Sequence, residues 1–305
     1  MPGFVPTRVL KTLGKRNAGG IRRWWDWCNS TSMKSRILAL MPCVEKHTPG
    51  GFCRIELGTS DQVAAKAFYN SLPGWEFADS PMGPNQFYTM FQLDGHNVAA
   101  CYSLQPDEVK MGIPPHWNLY ISVTSADETT KRAAECEGVV FCGPFDVAGY
   151  GRMSTIADPT GAVFSIWEPK THTGLGVRGQ HGSFCRADLS TPDPARAALF
   201  YKDVFGWSLR AGDEDYLHIQ NGDEYIGGIP PASRRQPHEP PHWAIYLQAD
   251  DCDATTAQAK KLGANVFVEP MTIEHVGRIC VPADPQGAVF SLFTPFPHLP
   301  SLPPQ

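Results

Sequence analysis

Residues 52–75 read FCRIELGTSDQVAAKAFYNSLPGW, and residues 184–207 read FCRADLSTPDPARAALFYKDVFGW. The two stretches align without a gap at a spacing of 132 residues. Each opens with an alternating apolar–polar run, the period of a half-buried strand. Each then passes an Asp into a helical pattern that closes on Gly-Trp. Asp193 before Pro194 reads as an N-cap with proline at the first helical position, and Asp61 is its counterpart. Pro73 predicts an earlier helix end in the first copy, where the second has Phe205.

Two more matches follow in the same order. PPHWNLYISV (114–123) returns as PPHWAIYLQA (240–249), and GRMSTIADPTGAVFSIWEP (151–169) as GRICVPADPQGAVFSLFTP (277–295), both at a spacing of 126. The Pro-Pro pair fixes an extended entry into an alternating strand. Ser125 and Glu128 form a capping box before a second helix, which ends at Gly263 in the second copy and at Glu137-Gly138 in the first. Such a repeat means two homologous modules, 49–169 and 181–297. Residues 170–180, KTHTGLGVRGQ, read as their linker, and 298–305 as a Pro-rich, extended tail. Each module reads as two βαβββ units, an α+β architecture.

Composition narrows the partners. The first 40 residues carry eight Lys/Arg against Asp26 alone, a net +7, which leaves −12 on the rest of a chain whose total is −5. An acidic body argues against nucleic acid. Residues 1–48 read as a basic N-terminal extension, either transit-like or translated upstream sequence with Met41 as the working start. There is no run of 18 apolar residues, so no membrane helix is expected. Nine scattered cysteines without a CxxC read as reduced, mostly buried thiols in a cytoplasmic setting. Walker, Rossmann and nucleophile-elbow motifs are absent, so no organic cofactor is expected.

The D-x(6)-FY-x(4)-GW and DP-x-G-A-V-F patterns, each present twice, resemble the vicinal oxygen chelate superfamily. That superfamily holds glyoxalase I, bleomycin-resistance proteins and extradiol dioxygenases. The resemblance implies tandem glyoxalase-like modules, each a curled mixed sheet around a cup-shaped cavity. Metal-dependent members place His, Gln or Glu ligands on the first, fourth, fifth and eighth strands. By register, three of those positions fall on Arg54, Asn118 and Ser165 in the first module and Arg186, Ala244 and Ser291 in the second. Neither a guanidinium nor a methyl group ligates a cation, so no metal is expected.

Strand alternation supplies the candidate site instead. Ile55 and Leu57 should face the core, which turns Arg54 and Glu56 to the cup; Arg186 and Asp188 repeat the pattern. Asn118, Tyr120, Ser165 and Trp167 should line the first cup, and Tyr246, Ser291 and Phe293 the second. An Arg among aromatic rings suits an anionic or oxygen-rich ligand. The same Arg–carboxylate pairs equally read as internal ion pairs that hold the sheet. Three functions stay open: a small-molecule-binding protein, a lyase, isomerase or oxygenase-type enzyme with Arg as oxyanion partner and Glu56 or Asp188 as base, and a structural module. The chain should act as a monomer of two modules or as a homodimer.

His116 and His242 of PPHW read as strand-entry residues, with a cup-rim base as the alternative. HEPPH (238–242) fails as a zincin motif because Pro240 and Pro241 break the helix it needs. His172, His181, His218 and His275 stand alone and read as surface or capping residues.

Overall fold

A computed structural model describes residues 44–296, apart from Asn85 and Pro237. The expectations for residues 1–43 and for the tail 298–305 fall outside the described residues.

The first module runs β1 (Phe52–Thr59), α1 (Gln62–Ser71), β2 (Glu76–Gly83), β3 (Gln86–Leu93), β4 (His96–Ser103), α2 (Pro106–Lys110), β5 (His116–Ser122), α3 (Ala126–Glu135), β6 (Val139–Val147), β7 (Gly151–Ala157) and β8 (Val163–Pro169). The second runs β9 (Phe184–Ser190), α4 (Pro194–Phe205), β10 (Ser208–Ala211), β11 (Leu217–Asn221), β12 (Glu224–Ile229), β13 (His242–Gln248), α5 (Cys252–Lys261), β14 (Asn265–Ile273), β15 (Gly277–Ala283) and β16 (Ser291–Pro295). Each module is one eight-stranded mixed sheet. The orders, β2-β3-β4-β1-β5-β8-β7-β6 and β10-β11-β12-β9-β13-β16-β15-β14, are the same pattern twice. The fold is therefore α+β with two tandem modules, each of two βαβββ units.

Local chemistry sets the elements. Asp61 Oδ1 accepts from the Val63 and Ala64 amides at 3.0 Å, and Asp193 Oδ1 from the Arg196 amide at 3.0 Å. Ser125 caps α3 through the Glu128 amide. Helix α4 runs two residues longer than α1 and closes on Gly206 at φ 73°, whereas Pro73 denies α1 that last turn. Ile55, Leu57, Ala187 and Leu189 are buried in the core, so Arg54, Glu56, Arg186 and Asp188 take the opposite face of their sheets. That opposite face is called the cup face below.

One core joins the modules. Phe52 of β1 meets Phe184, Trp207 and Trp243 of the second module edge-on, and Phe68 and Tyr69 meet Phe290. Two symmetric polar relays cross this apolar layer. Trp117 Nε1 donates to the Tyr69 hydroxyl (3.2 Å), which donates to Asp284 Oδ2 (3.1 Å) in the other module. Trp243 Nε1 likewise donates to Tyr201 (2.9 Å), and Tyr201 to Asp158 Oδ2 (3.0 Å). Each Asp also holds its own DPxG turn: Asp284 Oδ1 accepts from the Gln286 and Ala288 amides, and Asp158 Oδ1 from those of Thr160 and Ala162. The Gly-Trp indoles complete the joint. Trp75 Nε1 donates to Gly182 O (2.7 Å) and Trp207 Nε1 to Gly50 O (2.8 Å). Gly50 and Gly182 sit at φ 82° and 76°, a left-handed bend, and a Cβ on Gly182 would lie 2.8 Å from Pro73 O.

The Gly-rich stretch 170–180, read as the linker, is docked on the first sheet. The Leu175 amide donates to Cys53 O (2.8 Å) and that of Gly176 to Asn97 O (2.7 Å), while Leu175 and Val177 are buried. Gly174 passes so close that a Cβ would stand 2.1 Å from Cys53 O. Residues 44–48, assigned by sequence to the extension, pack on the same strap: His47 is buried and its Nε2 lies 3.0 Å from Leu175 O.

Replacing Tyr69 or Tyr201 by Phe leaves an indole N–H and a carboxylate oxygen without their partner in the buried joint. Each substitution should lower unfolding free energy by about 1–3 kcal/mol in urea titration. A change below about 0.5 kcal/mol in both variants would show that the relays do not hold the modules together.

Candidate ligand site

In the first cup, β1 presents Arg54 and Glu56, with Tyr120 on β5 facing Arg54 across the ladder. Glu56 accepts at Oε1 from Arg54 Nη2 (2.9 Å) and the Tyr88 hydroxyl (2.5 Å), and at Oε2 from the Tyr120 hydroxyl (2.5 Å). The Arg54 guanidinium carbon lies 5.0–5.5 Å from the ring centres of Tyr120, Trp167 and Tyr88, within cation–π range. Asn118 Nδ2 donates to Ser165 Oγ (2.9 Å), which also bonds Thr155 Oγ1. Burial, reinforced by Glu56, pushes the Tyr120 phenol far up, so it stays a neutral donor. Arg54 and Glu56 are each 7% exposed, and the His172 carbonyl covers Trp167 Nε1 at 2.9 Å. This cup is filled by its own side chains.

The second cup repeats the network more openly. Arg186 Nη2 meets Asp188 Oδ1 (2.7 Å) and the Tyr216 hydroxyl, and Tyr216 donates to the same carboxylate oxygen (2.8 Å). The Tyr246 ring centre lies 5.6 Å from the Arg186 guanidinium carbon, and its hydroxyl feels Asp188 and Ser291. Burial and Asp188 together push both phenols up. The Arg186 side chain is 25% exposed against 9% for Arg54, and Tyr246 is half-buried where Tyr120 is buried.

Beyond this network each cup has an apolar wall. Register carries Trp167 through Met153 to Phe145 in the first module and Phe293 through Ile279 to Met271 in the second. Phe145 and Met271 stand 42% and 48% exposed at the rims.

All the candidates named from sequence except Asn118, Ser165 and Ser291 join one of the two Arg–carboxylate–Tyr networks by a hydrogen bond or a ring contact, Trp167 against Arg54 and Phe293 against Tyr246. Those three lie on the same cup faces. The residues missed were Tyr88, Tyr216, His172 and His218. Tyr88 is matched by Tyr216 at a spacing of 128, a third offset between the copies that hides the pair in a simple alignment. His172, read as a surface or capping residue, lies behind the first cup with Nε2 buried and unpartnered. His218, read the same way, sits on β11 with its ring 4.9 Å from that of Tyr216. His116 and His242 rest at their strand entries, each ring Nδ1 about the Pro carbonyl two residues back (2.9 and 3.0 Å), while Trp117 and Trp243 are buried.

Among the described residues no three His, Cys, Asp or Glu side chains gather closely enough to hold a metal ion. The cup donors are a guanidinium, phenols and a carboxylate that already accepts hydrogen bonds from them, a set that does not fit a divalent cation.

Residues 186–293 match the family model described as a glyoxalase-like domain. Over 265 residues, 85% of this chain and all of the relative, the sequence is 38% identical to "Putative glyoxylase CFP32" of Mycobacterium tuberculosis. The chain belongs to the glyoxalase-like family of the vicinal oxygen chelate superfamily. It is also 34% identical to the anthracycline biosynthesis protein DauV of a Streptomyces species, over 81% of this chain and 94% of that one. Among solved structures, a Mn(II)-bound glyoxalase from Novosphingobium aromaticivorans superposes with TM-score 0.59 at 16% identity, covering 81% and 82% of the two chains. The 2,3-dioxygenase LapB of Pseudomonas superposes at 0.55 and 13%, covering 85% and 98%. At these identities the two structures speak for the shared fold. No helix among the described residues is long and apolar enough to cross a membrane.

Two histidines behind the first cup, His47 buried and His172 half-buried, should make the fold acid-sensitive in this chain. Burial pushes His47 and His172 down to about 4, with Arg178 adding to the effect at His47 and Arg54 at His172. Released into the unfolded chain they titrate near 6.5, so below that pH the unfolded state binds more protons. Stability present above about pH 6.5 is lost as pH falls toward about 4, by about 2 kcal/mol per ring at pH 5. The double variant His47→Gln/His172→Gln should therefore show a much flatter decline of Tm between pH 7 and 5. An equally steep decline would assign the acid lability to other groups.

Proposed function

We propose that the protein binds a small, oxygen-rich, aromatic or anionic molecule in its second cup, without the divalent metal that other superfamily members use. The observation that carries this reading is the second cup's half-open Arg186–Asp188–Tyr216–Tyr246 network beside an apolar wall that ends in an exposed Met271. A polar end and a planar apolar body match those two walls. Arg186 Nε, like Arg54 Nε in the first cup, is buried without a hydrogen-bond partner. Neutral Tyr216 and Tyr246 suit recognition of carbonyl and phenol oxygens. Two relatives named for anthracycline biosynthesis, DauV and DnrV, fit a polycyclic, oxygenated ligand class.

The enzymatic alternative asks Glu56 or Asp188 to act as base. Glu56 accepts from Arg54, Tyr88 and Tyr120, and Asp188 Oδ1 from Arg186 and Tyr216, so each carboxylate already serves as the internal partner of an arginine. Binding is the reading these occupied carboxylates favour.

An anthracyclinone aglycone is a fluorescent probe of the expected shape. It should bind the EDTA-treated full-length protein with micromolar affinity, and Phe293→Ala should weaken it about tenfold by removing part of the apolar wall. Metal analysis after incubation with Mn(II), Fe(II) or Zn(II) and desalting should find well under one ion per chain. A stoichiometric ion whose removal abolishes probe binding would overturn the metal-free reading.

A further inference from the structure

The same cross-strand row differs sharply between the two cups. In the first module it reads Ala78, Met90, Ala100, Glu56, Asn118 across β2, β3, β4, β1 and β5. In the second it reads Arg210, His218, Gly228, Asp188, Ala244 across β10, β11, β12, β9 and β13. Residues paired in this way share a face. A wall of small and apolar groups in one cup is thus a wall with two basic side chains in the other.

Three features mark that wall as built to receive something. Arg210 is exposed and makes no ion pair or hydrogen bond among the described residues, whereas Arg186 is committed to Asp188 and Tyr216. Among the described residues His218 makes no hydrogen bond through either ring nitrogen; it is half-buried, with its ring packed near those of Tyr216 and Tyr225. Two glycines clear the space these rings occupy. A Cβ on Gly228 would fall 2.0 Å from the Tyr216 hydroxyl, and one on Gly212 would fall 2.4 Å from His218 Nε2. The first module has Ala100 at the Gly228 position.

The geometry points to Arg210 and His218 as an anion subsite of the second cup, which seats a carboxylate or phosphate monoester at the polar end of a planar ligand. This rests on the second cup being the ligand site and adds what the ligand must carry. The Arg210 fork supplies charge and two parallel donors to a planar oxyanion. His218 supplies a third donor from the neighbouring strand. The ligand body then runs past Tyr216 and Tyr246 toward Phe293, Ile279 and Met271. The anion is held by the free arginine at the rim, and the interior arginine keeps its structural carboxylate.

Matched naphthalene probes test this on the full-length chain by isothermal titration: 2-naphthoate, 2-naphthyl phosphate and the neutral 2-naphthamide. At least one anionic probe should bind at least tenfold tighter than the amide, and the stronger of the two names the anion class. Arg210→Gln should collapse that difference to less than threefold. Arg132→Gln, which removes an exposed guanidinium from α3, should leave it intact. His218→Leu should weaken the anion and spare the amide. An anion preference that persists in Arg210→Gln overturns the subsite. If anion and amide bind equally, and both weaken in Phe293→Ala, the cup binds ligands and only the subsite is wrong. If no probe binds the unmodified protein, the second cup fails as a ligand site and the subsite falls with it.

Discussion

The relay from Trp indole to Tyr hydroxyl to Asp carboxylate, made twice across the module boundary, is the constraint on which the rest of the structure depends. Each relay ties three sequence-distant motifs into one buried chain: PPHW, the FY pair and the DPxG turn. Its members are polar groups inside an apolar layer, so each must find its partner or lose the cost of leaving water. Such a requirement fixes the register of the modules far more tightly than Phe52 packing on Phe184, Trp207 and Trp243 can, because hydrophobic contact has no direction. The burial of Asp284, which pushes its carboxyl up, shows how fully this joint is withdrawn from solvent. With one face of each sheet committed to the joint, the other is left for the cups.

Duplication then frees the cups to differ. Both keep a Tyr–carboxylate–Arg–Tyr network, and a buried guanidinium and carboxylate two residues apart on one strand need that company. The first cup is closed by Trp167, by Tyr120 and by the strap through His172, and its remaining polar groups Asn118, Ser165 and Thr155 bond each other. In the second, Ala244 replaces Asn118, Gly228 replaces Ala100, and Arg210 and His218 stand where the first has Ala78 and Met90. The same scaffold thus carries a polar-bonded interior in one module and a half-exposed basic wall in the other.

Much of this was legible in the sequence because it is periodic. The repeat, the caps at Asp61 and Asp193, the early stop at Pro73 and the inward turn of Arg54 and Arg186 all follow from rules that act within a few residues. What escaped were contacts between distant strands. Tyr88 and Tyr216 enter the networks from β3 and from the residue just before β11, where loops of unequal length shift the offset between copies to 128. Gly-rich 170–180 reads as a linker because composition reports backbone freedom; here the glycines permit close approach, as Gly174 against Cys53 O shows. The lone histidines 172 and 218 gave no signal, since a ring takes its role from whatever the fold places beside it.

The hydrogen bonds to the two carboxylates decide how the repeated Arg–acid pairs are to be understood. An arginine paired at 2.7–2.9 Å with a carboxylate on its own strand presents little net charge to a ligand. Long-range attraction for an anion must then come from a cation without an internal partner, and in the second cup that position is Arg210. The tyrosines around each pair, held protonated by burial, add directional donors but no base. Ion pairs and neutral phenols of this kind offer a ligand donors to oxygen atoms, which is the basis of the binding role proposed above. Selectivity in such a site comes from which ligand oxygens satisfy donors that would otherwise be left unpaired, as Arg186 Nε is. On the proposed reading, the apolar wall would supply affinity and the polar row selectivity.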